Sequence, residues 1–173
     1  MNARRFEGTR AVLAFGSNLG NRGETIVDAM AEISRLPGVE TIGESSLYET
    51  VAVKLHGIDP DAPAYLNAAS IVLTTLEPHD LLAALNEIEL RHGRVREERW
   101  GDRTLDIDLI TYGTLEQSDE TLTLPHPRAW QRDFVLAPWL ELDPDATIPA
   151  RGRVDELLAS TDDTARRTPS ETM

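Results

Sequence analysis

The stretch that decides the fold is RWGDRTLDIDLITYG, residues 99–113, in which a short apolar run of strand type carries two carboxylates. Side chains alternate between the two faces of a strand, so Asp106 and Asp108 share one face and their apolar neighbours take the other. Aspartate is a poor strand former, and two on one face repel each other unless something neutralises them. We therefore predict a strand over residues 104–112 that binds cations on its acidic face.

The spacing of the two aspartates suits a pair of metal ions. Cβ atoms at positions i and i+2 of a strand lie ~6.5–7 Å apart, and carboxylates at that separation can converge on two cations about 3.5–4 Å apart. Oxygen ligands in a chain without cysteine favour Mg²⁺ or Mn²⁺ over zinc. The alternative interpretation is two solvent-exposed aspartates on an edge strand.

Arginines are concentrated just before this strand. The cluster consists of Arg91, Arg94, Arg96, Arg99 and Arg103. The whole chain is acidic, with a formal net charge of −13, so the cluster predicts a local anion site on an acidic body. A solvated helix end is the alternative.

Outside this stretch, the apolar pattern gives a strand–helix–strand order twice. The predicted elements are a strand at 10–15, a helix with its apolar stripe from 26 to 36, a weaker strand at 41–50, a strand at 66–74, a helix from Pro78 to near Gly93, and the strand at 104–112. A loop without periodicity, residues 51–64, separates the two units. This order predicts an α+β fold, a ferredoxin-like βαββαβ sandwich with a C-terminal extension packed on the core.

We divide the chain into an N-terminal extension (1–9), a main domain (10–150) and a C-terminal segment (151–173). Two of the three tryptophans lie within residues 126–145, which should pack onto the body. In the C-terminal segment, residues 154–159 predict one short helix, and the polar composition of residues 161–173 is typical of disorder.

Composition narrows the classes of function. The chain has 173 residues, 40% of them hydrophobic and 27% charged, with no apolar run long enough for a membrane span and no signal peptide pattern at its start. Its acidity argues against a nucleic-acid partner. The absence of cysteine excludes disulfides and fits a cytoplasmic protein, and we expect a monomer.

Two rings and an amide suggest a site for a flat heterocycle. Tyr65 and Asn67 stand i, i+2 on one face of a predicted strand, and Phe134 could supply a second aromatic plane. Stacking between the rings would supply binding affinity, and the donor and acceptor of the amide would determine which heterocycle is recognised. Ordinary core or rim residues are the alternative.

Several longer stretches together resemble one family, the 6-hydroxymethyl-7,8-dihydropterin pyrophosphokinases of the folate pathway. The matching stretches are FGSNLGNR (15–22), YET (48–50), YLNA (65–68), IELRHGRVREERWGDRTLDIDLITYG (88–113) and LPHPRAWQRDFVLAPWLELDPD (124–145). The resemblance implies transfer of the terminal diphosphate of ATP to the pterin hydroxymethyl group, with release of AMP. The implied small molecules are therefore ATP as co-substrate and a reduced pterin.

The resemblance also implies roles for individual residues. Asp106 and Asp108 would bind two Mg²⁺ and, with Arg94 and Arg103, form the catalytic group. The implied ATP-binding residues are Asn86, Glu89, Arg94, Arg96, Trp100, Arg103, Leu109, Thr123, His126 and Arg132. The implied pterin-binding residues are Thr50, Val53, Tyr65, Asn67, Asp106 and Phe134.

Two other functions remain open from the sequence. A DxD strand also occurs in nucleotidyltransferases of the polymerase-β type, where a Gly-Ser turn precedes it closely. Here Gly16-Ser17 lies far upstream of Asp106, which counts against that function. The second alternative is a ferredoxin-like module that binds pterin or nucleotide without turnover.

Overall fold

A computed structural model describes residues 8–17, 22–50, 53–54, 57–58, 65–94, 105–161 and 166–167. The strands are β1 (Thr9–Ser17), β2 (Val39–Glu44), β3 (Tyr48–Thr50), β4 (Val53–Lys54), β5 (Gly57–Ile58), β6 (Tyr65–Thr74), β7 (Leu105–Tyr112), β8 (Gln117–Ser118), β9 (Thr123–Leu124), β10 (Thr147–Ile148), β11 (Gly152–Arg153) and β12 (Arg166–Arg167). The helices are α1 (Arg22–Ser34), α2 (Pro78–Glu89), α3 (Asp133–Leu142) and α4 (Val154–Ala159).

The main sheet is antiparallel and runs in the order β12-β3-β6-β1-β7, with β2 also paired to β6. Strands β1 and β6 are central, and β7 lies at one edge. Three shorter pairs, β4–β5, β8–β9 and β10–β11, stand apart from it. The predicted mixture of helices with an antiparallel sheet is confirmed. No helix in the described part of the chain has the length and apolar character needed to cross a membrane.

Helices cover both faces of the sheet, so the central strands are apolar on both sides. One core contains Leu13 and Phe15 of β1 with the apolar stripes of α1 and α2. The other contains Val12 and Ala14 of β1 with Leu136 and other residues of α3 and α4. This two-sided burial explains why the first strand is a continuous apolar run rather than an alternating one. Each fully buried leucine contributes about 1.5–3 kcal/mol to folding.

The prediction of one strand over residues 41–50 is wrong in one respect, because the structure divides this stretch between β2 and β3. Residues 45–47 interrupt it. The Ser45 N–H still donates to the Ala69 carbonyl on β6 at 2.9 Å, but the Ser46 N–H turns away to the carboxylate of Glu141 on α3. Successive N–H groups of a strand point to opposite sides, so the Ser46 N–H faces away from β6. The side chain of Ser45 also enters the pairing, because its hydroxyl accepts the Ala69 N–H at 2.9 Å. Alternation along the chain does not reveal either contact.

The second predicted helix and the short C-terminal helix lie close to their expected positions. Helix α2 ends at Glu89, and a π-helical turn, Leu90–Arg94, continues it to the predicted end near Gly93. The short helix predicted over residues 154–159 is α4. The prediction of disorder over residues 161–173 is wrong at residues 166–167, which form β12 and pair with β3. The region 126–145 packs on the sheet as expected, through α3.

A charged contact joins α1 to the π-helical turn. Glu32 accepts hydrogen bonds from Arg91 Nη2 at 2.8 Å and Nε at 3.1 Å, and its second oxygen contacts the His92 ring. Burial by itself raises the pKa of Glu32, but the hydrogen bonds from Arg91 and His92 outweigh it and hold the pKa below its ordinary value. This contact fixes the start of the segment that contains the other predicted arginines.

We expect Glu32→Gln to lower the free energy of unfolding by about 0.5–1 kcal/mol at pH 7, because the contact is partly exposed. The folded-state pKa of Glu32 lies below its unfolded value, so this stabilisation is complete above about pH 4.3 and is lost as the pH falls through the folded pKa. Denaturant unfolding of wild type and variant from pH 7 to pH 3 checks this. Asp28→Asn, at an exposed position of α1, is the control. A stability difference that persists unchanged at pH 3 would contradict the charge contact.

Candidate active site

The two aspartates of the opening stretch share one face of β7, as predicted. In the register with β1, Asp106 lies opposite Gly16 and Asp108 opposite Ala14. Further along the same face Ile110 is buried in the core that α3 covers, whereas Asp106 is exposed and the Asp108 side chain is 42% exposed. The strand is thus apolar where α3 covers it and acidic where that cover ends, which leaves both carboxylates accessible to a ligand.

Glu89 holds the outer edge of β7 between the aspartates. It lies at the end of α2 and is only 5% exposed. Its Oε2 accepts a hydrogen bond of 2.7 Å from the backbone N–H of Ile107, which points away from β1. A buried carboxylate that accepts an edge N–H replaces the partner that a further strand would supply. Glu89 therefore fixes the backbone between Asp106 and Asp108.

His126 is oriented by two backbone contacts. The backbone N–H of His126 donates to the Ile110 carbonyl at 2.8 Å, and its ring Nδ1 accepts from the Arg128 backbone N–H at 3.1 Å. The other ring nitrogen, Nε2, lies 3.9 Å from an Asp108 oxygen. Burial lowers the pKa of His126, Asp108 raises it, and Arg132 and Arg128 lower it again, so that the pKa lies below the ordinary value. The ring is therefore neutral at pH 7, with its proton on Nε2, the nitrogen that faces Asp108.

The β8–β9 hairpin is shaped by Asp119. Its Oδ1 accepts hydrogen bonds from the N–H groups of Thr121 at 2.9 Å and Leu122 at 2.8 Å, which hold the pKa of Asp119 below its ordinary value. Its other oxygen lies 2.9 Å from Nε2 of His79 on α2. The hairpin is therefore fixed against α2 and forms a wall opposite β7.

A cavity of about 430 Å³ lies between α2, the outer edge of β7 and the hairpin. Its lining includes seven of the residues predicted to bind ATP or metal: Asn86, Glu89, Asp106, Asp108, Leu109, Thr123 and His126. It also includes residues that the sequence did not single out: Leu82, Ile107, Asp119, Glu120, Thr121, Leu122 and Pro127. The hairpin members gave no signal, because a short polar turn has no periodicity that predicts which cavity it will line.

Asn67, one of the residues predicted for the heterocycle, is joined to Asp106 of this cavity by strand register. Asn67 on β6, Gly16 on β1 and Asp106 on β7 form a row across three neighbouring strands. Asn67 is 4% exposed, and a Cβ on Gly16 would lie 3.4 Å from the Asn67 Oδ1. Residues directly opposite on antiparallel strands share a face, so the glycine leaves a flat floor between the amide and the carboxylate. Gly16 was not among the predicted site residues.

Arg132 and Phe134 lie together at the start of α3. The guanidinium carbon of Arg132 is 5.6 Å from the centroid of the Phe134 ring, within the range of a cation–π contact. Phe134 is partly buried and packs against the core that α3 covers. Neither residue lines the cavity described above. They occupy the same side of the sheet as the two aspartates.

The remaining predicted residues cannot be placed by their side chains. The structure describes the backbone alone for Thr50, Val53, Tyr65 and Arg94, and Arg96, Trp100 and Arg103 lie outside the described residues. On the backbone, Thr50 is directly opposite Tyr65 in the β3–β6 register. Arg94 ends the π-helical turn.

Comparison with known proteins decides the family. The family model described as 7,8-dihydro-6-hydroxymethylpterin-pyrophosphokinase matches residues 12–144. The chain belongs to this family. The resemblance drawn from the sequence is confirmed, and it identifies the chain as a pyrophosphokinase, an ATP-dependent diphosphotransferase that acts on hydroxymethyldihydropterin in folate synthesis.

Similar proteins in bacteria extend over nearly the whole chain. The 2-amino-4-hydroxy-6-hydroxymethyldihydropteridine pyrophosphokinase of Methylorubrum extorquens is 40% identical over 154 residues, which cover 89% of this chain and 94% of the relative. The protein of the same name in Pseudomonas aeruginosa is 39% identical over 155 residues, which cover 87% of this chain and 91% of the relative.

A solved structure supports the fold. The crystal structure of Plasmodium falciparum HPPK-DHPS superposes on 91% of this pyrophosphokinase with a TM-score of 0.67 at 13% sequence identity. This chain spans 46% of that longer protein. At such low identity the likeness shows the fold alone.

Proposed function

We propose that this chain binds ATP in the cavity beside β7 and transfers its terminal diphosphate to the hydroxymethyl oxygen of 6-hydroxymethyl-7,8-dihydropterin, releasing AMP. The observation that carries the proposal is the meeting of the DxD carboxylates with five other predicted nucleotide-binding residues around one cavity. The row from Asn67 through Gly16 to Asp106 supports a site for the second substrate next to this cavity.

We propose that two Mg²⁺ ions bind at Asp106 and Asp108. The donor set fits: both are carboxylates, both are accessible, and they stand i, i+2 on one strand face. Among the side chains that the structure describes, no group of three or more His, Cys, Asp or Glu is arranged to enclose a metal ion. Phosphate oxygens and water would thus supply most ligands, which is the usual condition for Mg²⁺. The ions would neutralise charge on the phosphates during transfer.

For ATP, the cavity offers apolar and polar contacts in separate places. Leu82 and Leu109 line it with apolar surface, while Asn86 and Thr123 offer polar side chains. Neutral His126 presents an Nε2–H donor towards the position of the phosphates beside Asp108. Arg94, Arg96, Arg103 and Arg132 are the proposed phosphate contacts, because only guanidinium forms a bidentate fork with phosphate oxygens, and Trp100 is the proposed aromatic contact.

For the pterin, we propose stacking between Tyr65 and Phe134 and recognition of the ring edge by Asn67, with backbone groups near Thr50 and Val53 contributing. Asn67 is buried and therefore pre-oriented, which suits hydrogen-bond recognition of a heterocycle. Asp106, at the other end of the row, then lies on the side from which the hydroxymethyl group meets ATP.

No protein nucleophile is needed in this reaction. The attacking oxygen belongs to the substrate, and diphosphate transfer depends on in-line positioning and on neutralising charge. The chain's own contribution is to hold two substrates in contact: β7 and α2 hold the nucleotide side, and β1, β6 and α3 hold the pterin side.

The order β7-β1-β6 with β2 and β3 beside β6 supports our interpretation of the fold as a ferredoxin-like βαββαβ sandwich. We further propose a cytoplasmic monomer without a nucleic-acid partner, which the net charge of −13 supports.

We expect AMP to accumulate when the protein is incubated with ATP, Mg²⁺ and 6-hydroxymethyl-7,8-dihydropterin, and not when any one of them is omitted. Anion-exchange chromatography separates AMP, ADP and pyrophosphate. Free pyrophosphate in place of AMP would indicate a nucleotidyltransferase. Binding of ATP or pterin without either product would indicate a non-catalytic binding module.

A further inference from the structure

Glu141, in the last turn of α3, binds the segment that leads into β3. Its carboxylate accepts hydrogen bonds from the Ser46 N–H at 3.0 and 3.1 Å, from the Ser46 hydroxyl at 3.1 Å and from the Tyr48 hydroxyl at 3.0 Å. Hydrogen bonds to an ionised acceptor are about twice as strong as those between neutral groups. Tyr48 is 9% exposed, so its hydroxyl is bonded in a nearly buried position.

The position of Glu141 on its helix is unfavourable unless it serves this contact. A negative charge near the C-terminus of a helix opposes the helix dipole, which favours cations there. The last turn of α3 carries no basic residue to compensate. The donors from Ser46 and Tyr48 therefore account for a carboxylate at this position. We call this contact between α3 and the start of β3, formed by Glu141, Ser46 and Tyr48, the joint.

This joint connects two walls of the proposed pterin site. On one side, Tyr48 lies opposite Asn67 and Thr50 lies opposite Tyr65 in the β3–β6 register. On the other side, Phe134 precedes Glu141 by seven residues, which is two turns, so both face the same way along α3 about 10.5 Å apart. The helix that carries one predicted stacking ring is thus tied to the strand pair that carries the other.

We propose that Glu141 is a positioning residue for the pterin, which sets the separation between the β3–β6 wall and Phe134. This inference rests on the proposed pterin site. A ring stacks well only when both flanking planes are held at contact distance, and misplacement by 1 Å can reduce rates about 100-fold. Glu141 touches no reacting atom, so its effect falls on pterin binding and leaves ATP binding unchanged.

Steady-state kinetics with ATP, Mg²⁺ and 6-hydroxymethyl-7,8-dihydropterin tests the proposal. We expect Glu141→Ala to raise the KM for pterin about 10-fold, since it removes bonds to a charged group, with the KM for ATP within about twofold of wild type. Tyr48→Phe, which deletes a single hydroxyl, should raise the pterin KM about threefold. Glu141→Gln keeps oxygen and size, and should recover most of the loss.

Controls separate this role from general destabilisation. Glu116→Ala removes an exposed carboxylate outside α3 and β3, and should leave both KM values unchanged. In the double variant Glu141→Ala/Tyr48→Phe, the pterin KM should equal that of Glu141→Ala alone, because the hydroxyl then has no carboxylate to bind. Titration of the pterin against the protein without ATP should reproduce the loss in Kd.

Each outcome bears on one claim. An unchanged pterin KM in Glu141→Ala, or equal rises in both KM values, overturns the positioning role while the activity of the wild type stands. Should Glu141→Ala fail to fold, an unchanged pterin KM in the folded Tyr48→Phe variant overturns it in the same way. If the wild type itself forms no AMP with pterin, the proposed function fails, and that result is distinguishable from the first two.

Discussion

Asp106→Ala and Asp108→Ala should each reduce the rate of AMP formation at least about 1,000-fold, because a lost metal ligand removes several kcal/mol of transition-state stabilisation and each 1.4 kcal/mol is a factor of ten. Both carboxylates are accessible on the acidic end of β7, so neither substitution opens a hole in a core. Removing one of two like charges on a strand face should leave the melting temperature unchanged or slightly higher.

Single-turnover assays over a range of Mg²⁺ concentrations measure this effect, and far-UV circular dichroism confirms the fold. Asp28→Ala on α1 is the matched control, since it removes an exposed aspartate from a helix that covers the opposite face of the sheet. Turnover near the wild-type rate in either β7 variant would refute the assigned metal role. A loss that excess Mg²⁺ fully restores would restrict that role to affinity.

The second large effect is expected at Glu89. Glu89→Ala removes the carboxylate that accepts the Ile107 N–H, and a buried donor without its acceptor costs about 1–3 kcal/mol. The melting temperature should fall by about 2–4 °C for each kcal/mol in a chain of this size. Because the released backbone lies between Asp106 and Asp108, we also expect turnover to fall by about 100-fold through misplacement.

Glu89→Gln separates the two roles proposed for this residue. The amide oxygen can still accept the Ile107 N–H, so the fold should melt close to the wild-type temperature, while any contact with ATP that needs the charge is lost. Hydrogen exchange of the Ile107 amide is the direct measurement: it should be fast in Glu89→Ala and slow in Glu89→Gln. Equal protection of this amide in both variants would show that Glu89 does not hold the strand edge.

Much of the fold was predictable because long elements carry strong periodic signals. The apolar stripe of α1, the continuous apolar run of β1 and the largely apolar stretches of β6 and β7 each identified an element. Helix α3 was not predicted as a helix, since Pro138 interrupts its pattern and the consecutive apolar residues Phe134–Leu136 make it apolar on several sides. The break between β2 and β3 involves side-chain bonds from Ser45 to Ala69 and from Ser46 to Glu141, which join residues 24 and 95 positions apart and so are not contained in local patterns.

Residues of the candidate site could be predicted where a side chain is chemically unusual for the secondary-structure element that carries it. Paired aspartates in an apolar strand predicted two accessible carboxylates that line the cavity, the position at which we propose that metal ions bind. Glu89 and His126 were assigned through the family resemblance, and their backbone contacts follow from tertiary structure alone. Gly16 and the hairpin around Asp119 were missed, because a missing side chain and a short polar turn leave no signal in a single sequence.

The position of β7 at the rim of the sheet has a consequence for solubility. A rim strand offers unpaired backbone groups on which another chain can add a strand and begin aggregation. Here a glutamate side chain bonds the Ile107 N–H and the His126 N–H bonds the Ile110 carbonyl, so two of the exposed groups are already taken. Two residues that line the proposed nucleotide cavity thus also reduce the tendency of this edge to self-associate, and variants that weaken the Glu89 contact should precipitate more readily on heating.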